Sequence, residues 1–569
     1  MILNDLIYIE DITIKFFEKQ SYSPIISIYE IIDFKIFKKM LLEDGILIAD
    51  NEIVANEFLN ININDLNKVI DKDPFIIFQA VEDVEITFDD SNKQVDNYNL
   101  EIISSKNNGE KIGIIDTNCI FHNSWQTYHT DGGNFLPSIF ESSYEHGTKV
   151  ASLIIGNDYL NPNFSDNLGE FNVKTFEALP LGKINLFYLM KTVEKIVREN
   201  NDIKIWNLSL GAPRVDYNKL SVFGKLLDIL QFECDVQFIV ASGNDKLNKL
   251  HSPADSFSAI SVGAVYETNN EDLKVSKYTG VGNVFGIFEK PSTYEIGNDF
   301  GAKDCSNNFL QMLNSTNEVI IDAGTSFAAP LVTRKVAFLK QKYSISLETS
   351  RAVINYLTKI SYPIANLSFL ENGDTFIFVE GEIKAGERKE IPIKLPFNIV
   401  KRVTKFTVGY SVSYNVAKPK IKIDEYSCVE ISMKLVYKYL TEEGKIRTTN
   451  IVKPNKRAKI DGEDAEEIEL RKNFGKYDPN KVVIDQNFSN NKGIKINKDF
   501  DSFSLVATRV DLFDHISKPI KYGAIIHLKE TEKGSLNDFI KLNFENIWSN
   551  HNTGNWTWCI VFVKKNGNC

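Results

Sequence analysis

The sequence predicts an α/β fold with a doubly wound, mostly parallel sheet, flanked by a small N-terminal α/β domain and a C-terminal β-sandwich. Two observations predict the central sheet. Between residues 111 and 361, apolar β-type runs alternate with amphipathic helical segments, and those runs are typical of strands covered on both faces. A third observation predicts the sandwich, because helical spacing disappears after about Gly373 and alternating segments replace it.

The N-terminal domain is expected over residues 1–105. A chain of 569 residues exceeds the size at which one hydrophobic core usually stops growing, so two or three domains are expected. Residues 25–32 and 74–82 have strand-type patterns, and residues 34–42 have helical spacing. Residues 107–109, Asn-Asn-Gly, then indicate a linker.

The central domain is expected over residues 106–365. Its predicted strands are residues 111–115, 173–178, 203–210, 238–241 and 260–265. Its predicted helices are residues 146–155, 186–199, 220–232 and 326–343. This alternation favours a doubly wound sheet over separate helical and β regions.

The C-terminal domain is expected over residues 366–569. Segments such as 403–412, 431–437 and 556–563 alternate between apolar and polar residues, which predicts about six to nine strands at the usual strand spacing. The charged stretch 453–478 is predicted to be a solvated loop, with a docking surface as the alternative.

Composition excludes several function classes and indicates a location. The net charge of −11 and the pI near 5.4 argue against nucleic acid or an anionic membrane as the main partner. The N-terminus carries acidic residues where a signal peptide would be basic, and no stretch is long and apolar enough to span a membrane. The six cysteines are scattered, which suits a reducing compartment, so a cytoplasmic protein is predicted.

Four polar residues stand where the α/β pattern places strand ends and helix starts. Asp116 ends the run Ile-Gly-Ile-Ile-Asp, and His146 opens a helical segment. Asn244 follows Val-Ala-Ser-Gly, and Ser326 follows Gly-Thr at the start of another helix. Catalytic groups of open α/β sheets gather outside the carboxyl ends of the strands. Each residue alone also fits a structural role, such as a turn or a helix cap.

Together the four residues supply one complete set of chemical roles. Acyl transfer by a hydroxyl needs an imidazole to activate it, a carboxylate to orient the imidazole, and donors for the developing oxyanion. Ser326, His146, Asp116 and Asn244 provide each role once. The set therefore predicts a serine hydrolase that needs no metal or cofactor.

The segments around these residues resemble the subtilase family of serine peptidases. The likeness covers residues 110–360 and rests on His-Gly-Thr-Lys-Val-Ala at His146, on Gly-Thr-Ser-Phe-Ala-Ala-Pro at Ser326, and on the order Asp, His, Asn, Ser. The resemblance implies a subtilisin-like fold with Asp116, His146 and Ser326 as the triad and Asn244 in the oxyanion hole. It also implies that two small-residue segments pair with the backbone of an extended peptide substrate. These are Ser209, Leu210 and Gly211, and Ala241, Ser242 and Gly243.

Two residues depart from the family pattern. Asn118 stands where the family usually has Gly after Ser or Thr, and a left-handed turn there is expected to survive because Asn tolerates it. Glu145 precedes His146 where Gly is frequent. We expect Glu145 to point to solvent, and the alternative is a carboxylate that raises the pKa of the His146 imidazole.

Several alternatives remain open at the level of function. The first is an active, regulated endopeptidase, in which residues 1–105 are either an inhibitory domain or a permanent structural one. The second is a catalytically silent subtilase-fold interaction module, and the third is a maturation protease with one dedicated substrate. The resemblance also implies a possible AAA-type ATPase partner, by family analogy alone.

Overall fold

The structure is a computed structural model of the chain, and the parts of it that are described form two compact units. One unit comprises residues 1–83 with 185–191, and the other comprises residues 84–184 with 192–569. The described residues are 25–27, 34–49, 52–55, 58–60, 77–79, 84–86, 93–94, 110–212, 220–245, 247, 249–284, 288–371, 375–393, 406–417, 429–441, 443–450, 478–484, 500–511, 516, 518–530 and 556–561.

The described part of the first unit includes a small antiparallel sheet and helix α1. The strands are β1 (Ile25–Ser27), β2 (Ile53–Val54), β3 (Phe58–Asn60) and β4 (Ile77–Gln79), in the order β2-β3-β1-β4. Helix α1 (Phe34–Glu43) buries Phe37 and Leu41, which lie one turn apart on the same face. The predicted helix is confirmed. Strands β1 and β4 lie within the two predicted strands, whose other residues lie outside the described residues.

The strands in the first part of the second unit include those of the predicted central sheet. They are β5 (Val84–Ile86), β6 (Lys93–Gln94), β7 (Lys111–Asp116), β8 (His129–Asn134), β9 (Asn172–Glu177), β10 (Gly182–Ile184), β11 (Ile205–Leu208), β12 (Gln237–Ala241), β13 (Ile260–Glu267), β14 (Leu273–Val275), β15 (Gly282–Val284), β16 (Phe288–Lys290), β17 (Thr293–Ile296), β18 (Gln311–Leu313) and β19 (Val319–Ile321). All five predicted strands of this region are present, with ends shifted by a few residues.

The main sheet is mostly parallel, as the apolar runs predict. Its order is β14-β13-β12-β11-β7-β9-β8, and β17 also pairs with β13. Of the pairs described in this sheet, only β13 with β14 is antiparallel. Strands β7, β11 and β12 are neighbours, so their carboxyl ends bring Asp116, Ser209 and Ser242 to one edge of the sheet.

Five helices are described whose residues lie wholly or partly in this unit, and the last of them was not predicted. They are α2 (Glu145–Leu160), α3 (Leu186–Glu199), α4 (Val222–Cys234), α5 (Thr325–Tyr343) and α6 (Leu347–Ile360). Helix α5 packs on β11, β12 and β13, and α2 packs on α5, so both helices share the main hydrophobic core with the sheet. Helix α6 starts directly after α5, with Ser346 as its N-cap.

The C-terminal region forms two sheets around a second core, as predicted. The strands are β20 (Thr375–Ile383), β21 (Arg388–Ile393), β22 (Phe406–Tyr414), β23 (Val429–Leu440), β24 (Ile446–Asn450), β25 (Asn480–Ile484), β26 (Phe500–Asp511), β27 (Ile520–Glu530) and β28 (Trp556–Val561). The sheet orders are β25-β22-β27-β20-β28 and β21-β26-β23-β24, and side chains from both sheets form one cluster. These nine strands of the described part agree with the predicted six to nine.

Small residues let the first of these sheets lie directly on α6. A Cβ added at Gly523 would lie 2.1 Å from the backbone nitrogen of Thr349, and one added at Gly409 would lie 2.2 Å from the Tyr356 hydroxyl. The C-terminal sheets are therefore packed onto the α/β core. Of the charged stretch 453–478, residues 453–477 lie outside the described residues, so its loop prediction stays a prediction. In the described part of the chain, no helix has the length and apolar character needed to cross a membrane.

Candidate active site

Asp116 and His146 form a buried pair at the carboxyl edge of the main sheet. Strand β7 ends on Asp116, and His146 is the second residue of α2. The His146 Nδ1 lies 2.7 Å from Asp116 Oδ1, and the backbone nitrogen of Thr117 donates to the same oxygen at 2.7 Å. Because a carboxylate can only accept, Nδ1 carries the proton and Nε2 of the neutral ring is left as a base.

The start of α2 packs tightly against the backbone that follows Asp116. Gly147 donates its N–H to Thr117 Oγ1 at 2.8 Å. A Cβ at Gly147 would lie 2.4 Å from the Thr117 carbonyl oxygen and 2.5 Å from that of Asn118, so any larger residue must displace one of the two segments. Glycine at position 147 thus lets the imidazole approach its carboxylate.

Asn118 fills its unusual position through side-chain contacts. Its Nδ2 donates to Glu177 Oε2 at 3.2 Å, and its Oδ1 accepts from the Cys119 backbone at 2.8 Å. The backbone at Asn118 does not have a positive φ, so the expected left-handed turn is wrong. Instead, Asn118 ties the loop after β7 to the neighbouring strand β9, in which Glu177 pairs with Asp116.

Glu145 does not point to solvent, so that expectation is wrong as well. Its Oε2 accepts from the backbone nitrogen of Ser315 at 3.1 Å and from the Ser315 hydroxyl at 2.7 Å. Its Oε1 lies 3.3 Å from the ammonium of Lys149. Burial acts to raise the pKa of Glu145, but the Ser315 hydrogen bonds and the Lys149 charge outweigh it and hold the pKa below its usual range.

Ser326 stands at the start of α5, close to the imidazole. Helix α5 begins at Thr325, and the ring of Phe327 lies 5.7 Å from the ring of His146. The Ser326 hydroxyl donates to the carbonyl oxygen of Ser209 at 3.3 Å, and the Ser209 hydroxyl donates to the carbonyl oxygen of Ser326 at 2.9 Å. A hydroxyl has one hydrogen, so the Ser326 O–H must turn away from the Ser209 carbonyl before it can donate to His146.

Asn244 is held in one orientation by the residue that precedes Ser326. Its Oδ1 accepts from both the backbone nitrogen and the hydroxyl of Thr325, each at 2.9 Å. Its Nδ2 lies on the side of Gly324, 3.1 Å from the position of an added Cβ. The amide is exposed, so its N–H groups face the region outside the sheet edge.

Each of the two segments predicted to bind substrate contacts His251 through a glycine. A Cβ at Gly211 would approach His251 Cβ and Nδ1 to 3.0 Å, and one at Gly243 would approach His251 Cγ to 2.4 Å. The backbone of Gly243 also has φ of +99°, which favours glycine. Leu210 and Ala241 are buried, and the Ser242 and Gly243 carbonyls already accept from His251 and Gly280.

His251 packs against both segments, and only the fold brings its ring there. Its Nε2 lies 3.6 Å from Asp245 Oδ2. Burial lowers the pKa of His251 despite the nearby Asp245 carboxylate. The ring is therefore favoured as neutral near pH 7.

Two further polar side chains near the sheet have structural surroundings. Burial raises the pKa of the Cys119 thiol, which disfavours the reactive thiolate. His129 Nε2 contacts the hydroxyl of Thr175 at 2.8 Å. Within the described residues, no group of three or more His, Cys, Asp or Glu side chains could hold a metal ion.

Comparison with known proteins decides the family. Residues 107–362 match the model of the subtilase family. This part of the chain belongs to the subtilase family. The match therefore confirms the resemblance from which the site residues were predicted.

The relatives of the subtilase domain include curated and solved proteins. Subtilisin-like protease 2 of Arthroderma otae is 28% identical over 211 residues, which are 37% of this chain and 44% of that protein. The match thus spans less than half the length of that relative. An epidermin leader peptide processing serine protease from Staphylococcus aureus has a TM-score of 0.40 and 15% identity, over 57% of this chain and 89% of that one. A cold adapted subtilisin-like serine proteinase has a TM-score of 0.32 and 20% identity, over 43% and 81%.

Proposed function

We propose that the protein is a serine endopeptidase that hydrolyses peptide bonds through an acyl-enzyme intermediate. Membership of residues 107–362 in the subtilase family supports peptidase chemistry. The observation that carries the proposal is the 2.7 Å contact between His146 Nδ1 and Asp116 Oδ1, in a pair whose ring lies beside the residue that follows Ser326.

The proposed reaction begins when the Ser326 hydroxyl turns from the Ser209 carbonyl to His146 Nε2. The imidazole takes the proton as Ser326 Oγ attacks the scissile carbonyl, and it later gives that proton to the leaving amine. Asp116 keeps Nδ1 protonated and stabilises the imidazolium. Water then repeats the sequence on the acyl-enzyme and restores the free hydroxyl.

The proposed oxyanion hole combines one side chain with one helix start. Asn244 Nδ2 and the backbone N–H of Ser326 would donate to the oxygen of the tetrahedral intermediate. Thr325 supports this role because it fixes Asn244 Oδ1 by two hydrogen bonds. The N-terminal end of α5 adds a favourable dipole for the negative charge.

The proposed substrates are proteins or peptides bound in an extended form. We propose that the backbone of residues Ser209–Gly211 and Ala241–Gly243 pairs with them, as strand addition would require. The carbonyls of Ser242 and Gly243 already accept hydrogen bonds within the chain. We therefore expect residues 209–211 to supply more of the substrate contacts than residues 241–243.

A covalent probe tests the proposal. Incubation with a fluorophosphonate is expected to label the wild-type protein at Ser326, as peptide mass mapping would show. Labelling should disappear in Ser326→Ala and fall strongly in His146→Ala. Ser368→Ala, which removes an exposed serine outside the site, serves as the matched control and should label like wild type. A protein that never labels, even after partial proteolysis, would instead support the silent interaction module.

Regulation, partners and location extend this proposal. We propose that residues 1–105 restrain the enzyme, since an unrestrained peptidase would damage its surroundings in the predicted cytoplasmic location. Intact-mass measurement of the wild type and Ser326→Ala tests self-cleavage near residue 105, which only the wild type should show. A dedicated maturation substrate and an AAA-type ATPase partner stay predictions, for which cleavage profiling and co-purification are the tests.

A further inference from the structure

Lys149 is a buried lysine three residues after His146 on the same helix. Its side chain is 2% exposed, and its neighbours Val150 and Ala151 are part of the main hydrophobic core. Lysine is almost never fully buried without a partner, because an isolated ammonium loses its hydration there. The position therefore calls for a specific interaction.

Lys149 has two carboxylate partners, Glu145 on its own helix and Asp322 on the segment that carries Ser326. Lys149 Nζ donates to Asp322 Oδ2 at 3.0 Å, and Asp322 is buried too. Asp322 directly follows β19 and precedes Ser326 by four residues. Its other oxygen accepts from the Ala323 backbone at 2.7 Å, and its carbonyl accepts from Asn298 Nδ2 at 2.6 Å. The carboxylate is thus fixed to the backbone that leads to the nucleophile.

Two further contacts join the same helix face to the same hairpin. Glu145 accepts from Ser315 in the loop between β18 and β19, and the Ser152 hydroxyl accepts from the Leu313 backbone at 3.1 Å. Residues 145, 149 and 152 are spaced by four and three, so they share one face of α2. The β18–β19 hairpin is held along this face, with Lys149 in the middle.

We propose that Lys149 is a positioning residue that sets the distance between His146 and Ser326. The inference rests on the proposed peptidase function and deepens it. One end of the ion pair lies on the helix of the imidazole, and the other end lies on the segment of the nucleophile. The attraction between two charges is strong in a dry interior, and loss of one partner leaves the other charge buried without that counter-charge.

The test replaces Lys149 by Met, which keeps the apolar stem and removes the ammonium. K149M is expected to lower kcat about 10- to 100-fold with KM changed less than about twofold, as a misplacement near 1 Å would do. The pH dependence of kcat should also change, because the imidazole and the hydroxyl no longer meet in one geometry. K149R should recover part of the loss, since it restores a cation.

Lys335→Met is the matched control. Lys335 is also buried on α5, where it forms an ion pair with Glu295 and donates to the Ala365 carbonyl at 3.0 Å. K335M should lower the melting temperature about as much as K149M, yet leave kcat within about twofold of the wild type. A kcat loss of equal size in both variants would show that any buried ion pair suffices and would overturn the inference.

A double variant separates stability from positioning. K149M/D322L replaces both charges of the Lys149–Asp322 pair by apolar groups, which often restores stability, and it leaves Glu145 with its hydrogen bonds from Ser315. It should melt closer to the wild type than K149M does, while its kcat stays low. Recovery of kcat together with stability would overturn the inference, as would wild-type kcat in folded K149M. If K149M fails to fold, this double variant decides alone. A wild-type protein without labelling or turnover would signal failure of the proposed function instead.

Discussion

The two halves of the candidate site differ in how completely they are formed. Asp116 and His146 are buried and in direct contact at 2.7 Å, with the oxygen of the pair also bound by Thr117. Ser326 is half-buried and Asn244 is exposed, and the Ser326 hydroxyl points to the Ser209 carbonyl. The proposed acid–base pair is therefore already in hydrogen-bond contact, whereas the proposed nucleophile donates its hydroxyl hydrogen to another group.

The difference follows from where each half lies. The Asp116–His146 half joins a strand end to a helix start inside the core, so neighbouring backbone fixes it from several sides. The Ser326–Asn244 half is more exposed, and Thr325 and Ser209 contact its side chains. Substitutions should reveal which half limits the reaction.

The largest expected effect is on the exposed half, from Asn244→Leu. We expect kcat to fall about 100- to 1,000-fold with little change in KM, a range for one oxyanion donor that comes from subtilisin itself. The reason is that Asn244 Nδ2 would bind charge that exists only in the transition state. Steady-state kinetics on a peptide substrate measures both constants.

Thr325→Val is the control for this substitution. It removes the hydroxyl that donates to Asn244 Oδ1 at 2.9 Å and accepts from the Gly243 backbone at 3.2 Å, but it keeps the backbone donor and the amide itself. We expect a loss in kcat smaller than that of Asn244→Leu, about tenfold for the neutral hydrogen bonds removed. A change in KM alone for Asn244→Leu would mean that Asn244 binds substrate rather than the oxyanion.

The next effect falls on the buried half, through Gly147→Ala. The added Cβ would lie 2.4 Å from the Thr117 carbonyl oxygen, so α2 or the loop after Asp116 must move. We expect the fluorophosphonate labelling rate to fall about 100-fold, the effect of displacing a catalytic group by about 1 Å. Gly282→Ala is the control, since its Cβ would meet Leu250 at an ordinary 3.5 Å. Equal rates for both variants would show that the buried half tolerates displacement.

Local sequence patterns predicted the four candidate site residues but not the residues that support them. Each of the four lies near a strand end or a helix start. They are Asp116, His146, Asn244 and Ser326. Lys149 and Asp322 could not be predicted, since 172 intervening positions separate them and only the fold brings them together. A lysine among apolar residues of a predicted core helix was the available signal. Glu145 was misassigned for the same reason, because Ser315 lies 170 residues away.

The flanking regions were predictable as classes of structure. Alternation in the C-terminal sequence predicted the strands, since each strand has one face in the shared core. Their packing on α6 through Gly409 and Gly523 was not predictable, because a glycine in a strand does not say what approaches it.

A smaller effect is expected on substrate choice, from His251→Ala. The ring packs against Gly211 and Gly243, so its removal should open space beside them for larger side chains. We expect kcat/KM for a substrate with Leu or Phe before the cleaved bond to rise about tenfold relative to one with Ala. His122→Ala, at an exposed histidine elsewhere, should leave the ratio unchanged. An unchanged ratio in His251→Ala would place the substrate side chain outside this space.

The smallest expected effect concerns the pH dependence of stability at Glu177, beside the buried half. Burial raises the pKa of Glu177, although hydrogen bonds from Ser142 and Asn118 act to lower it. Below the unfolded-state pKa of about 4.3, both states are protonated, so the raised pKa does not change the free energy of unfolding. As the pH rises towards the folded-state pKa, the raised pKa lowers the free energy of unfolding by a growing amount. Above the folded-state pKa this reduction is constant. Glu177→Gln should therefore melt like the wild type near pH 4 and a few degrees higher at pH 7. A difference in melting temperature that shrinks with rising pH would mean that Glu177 is stabilised as the anion.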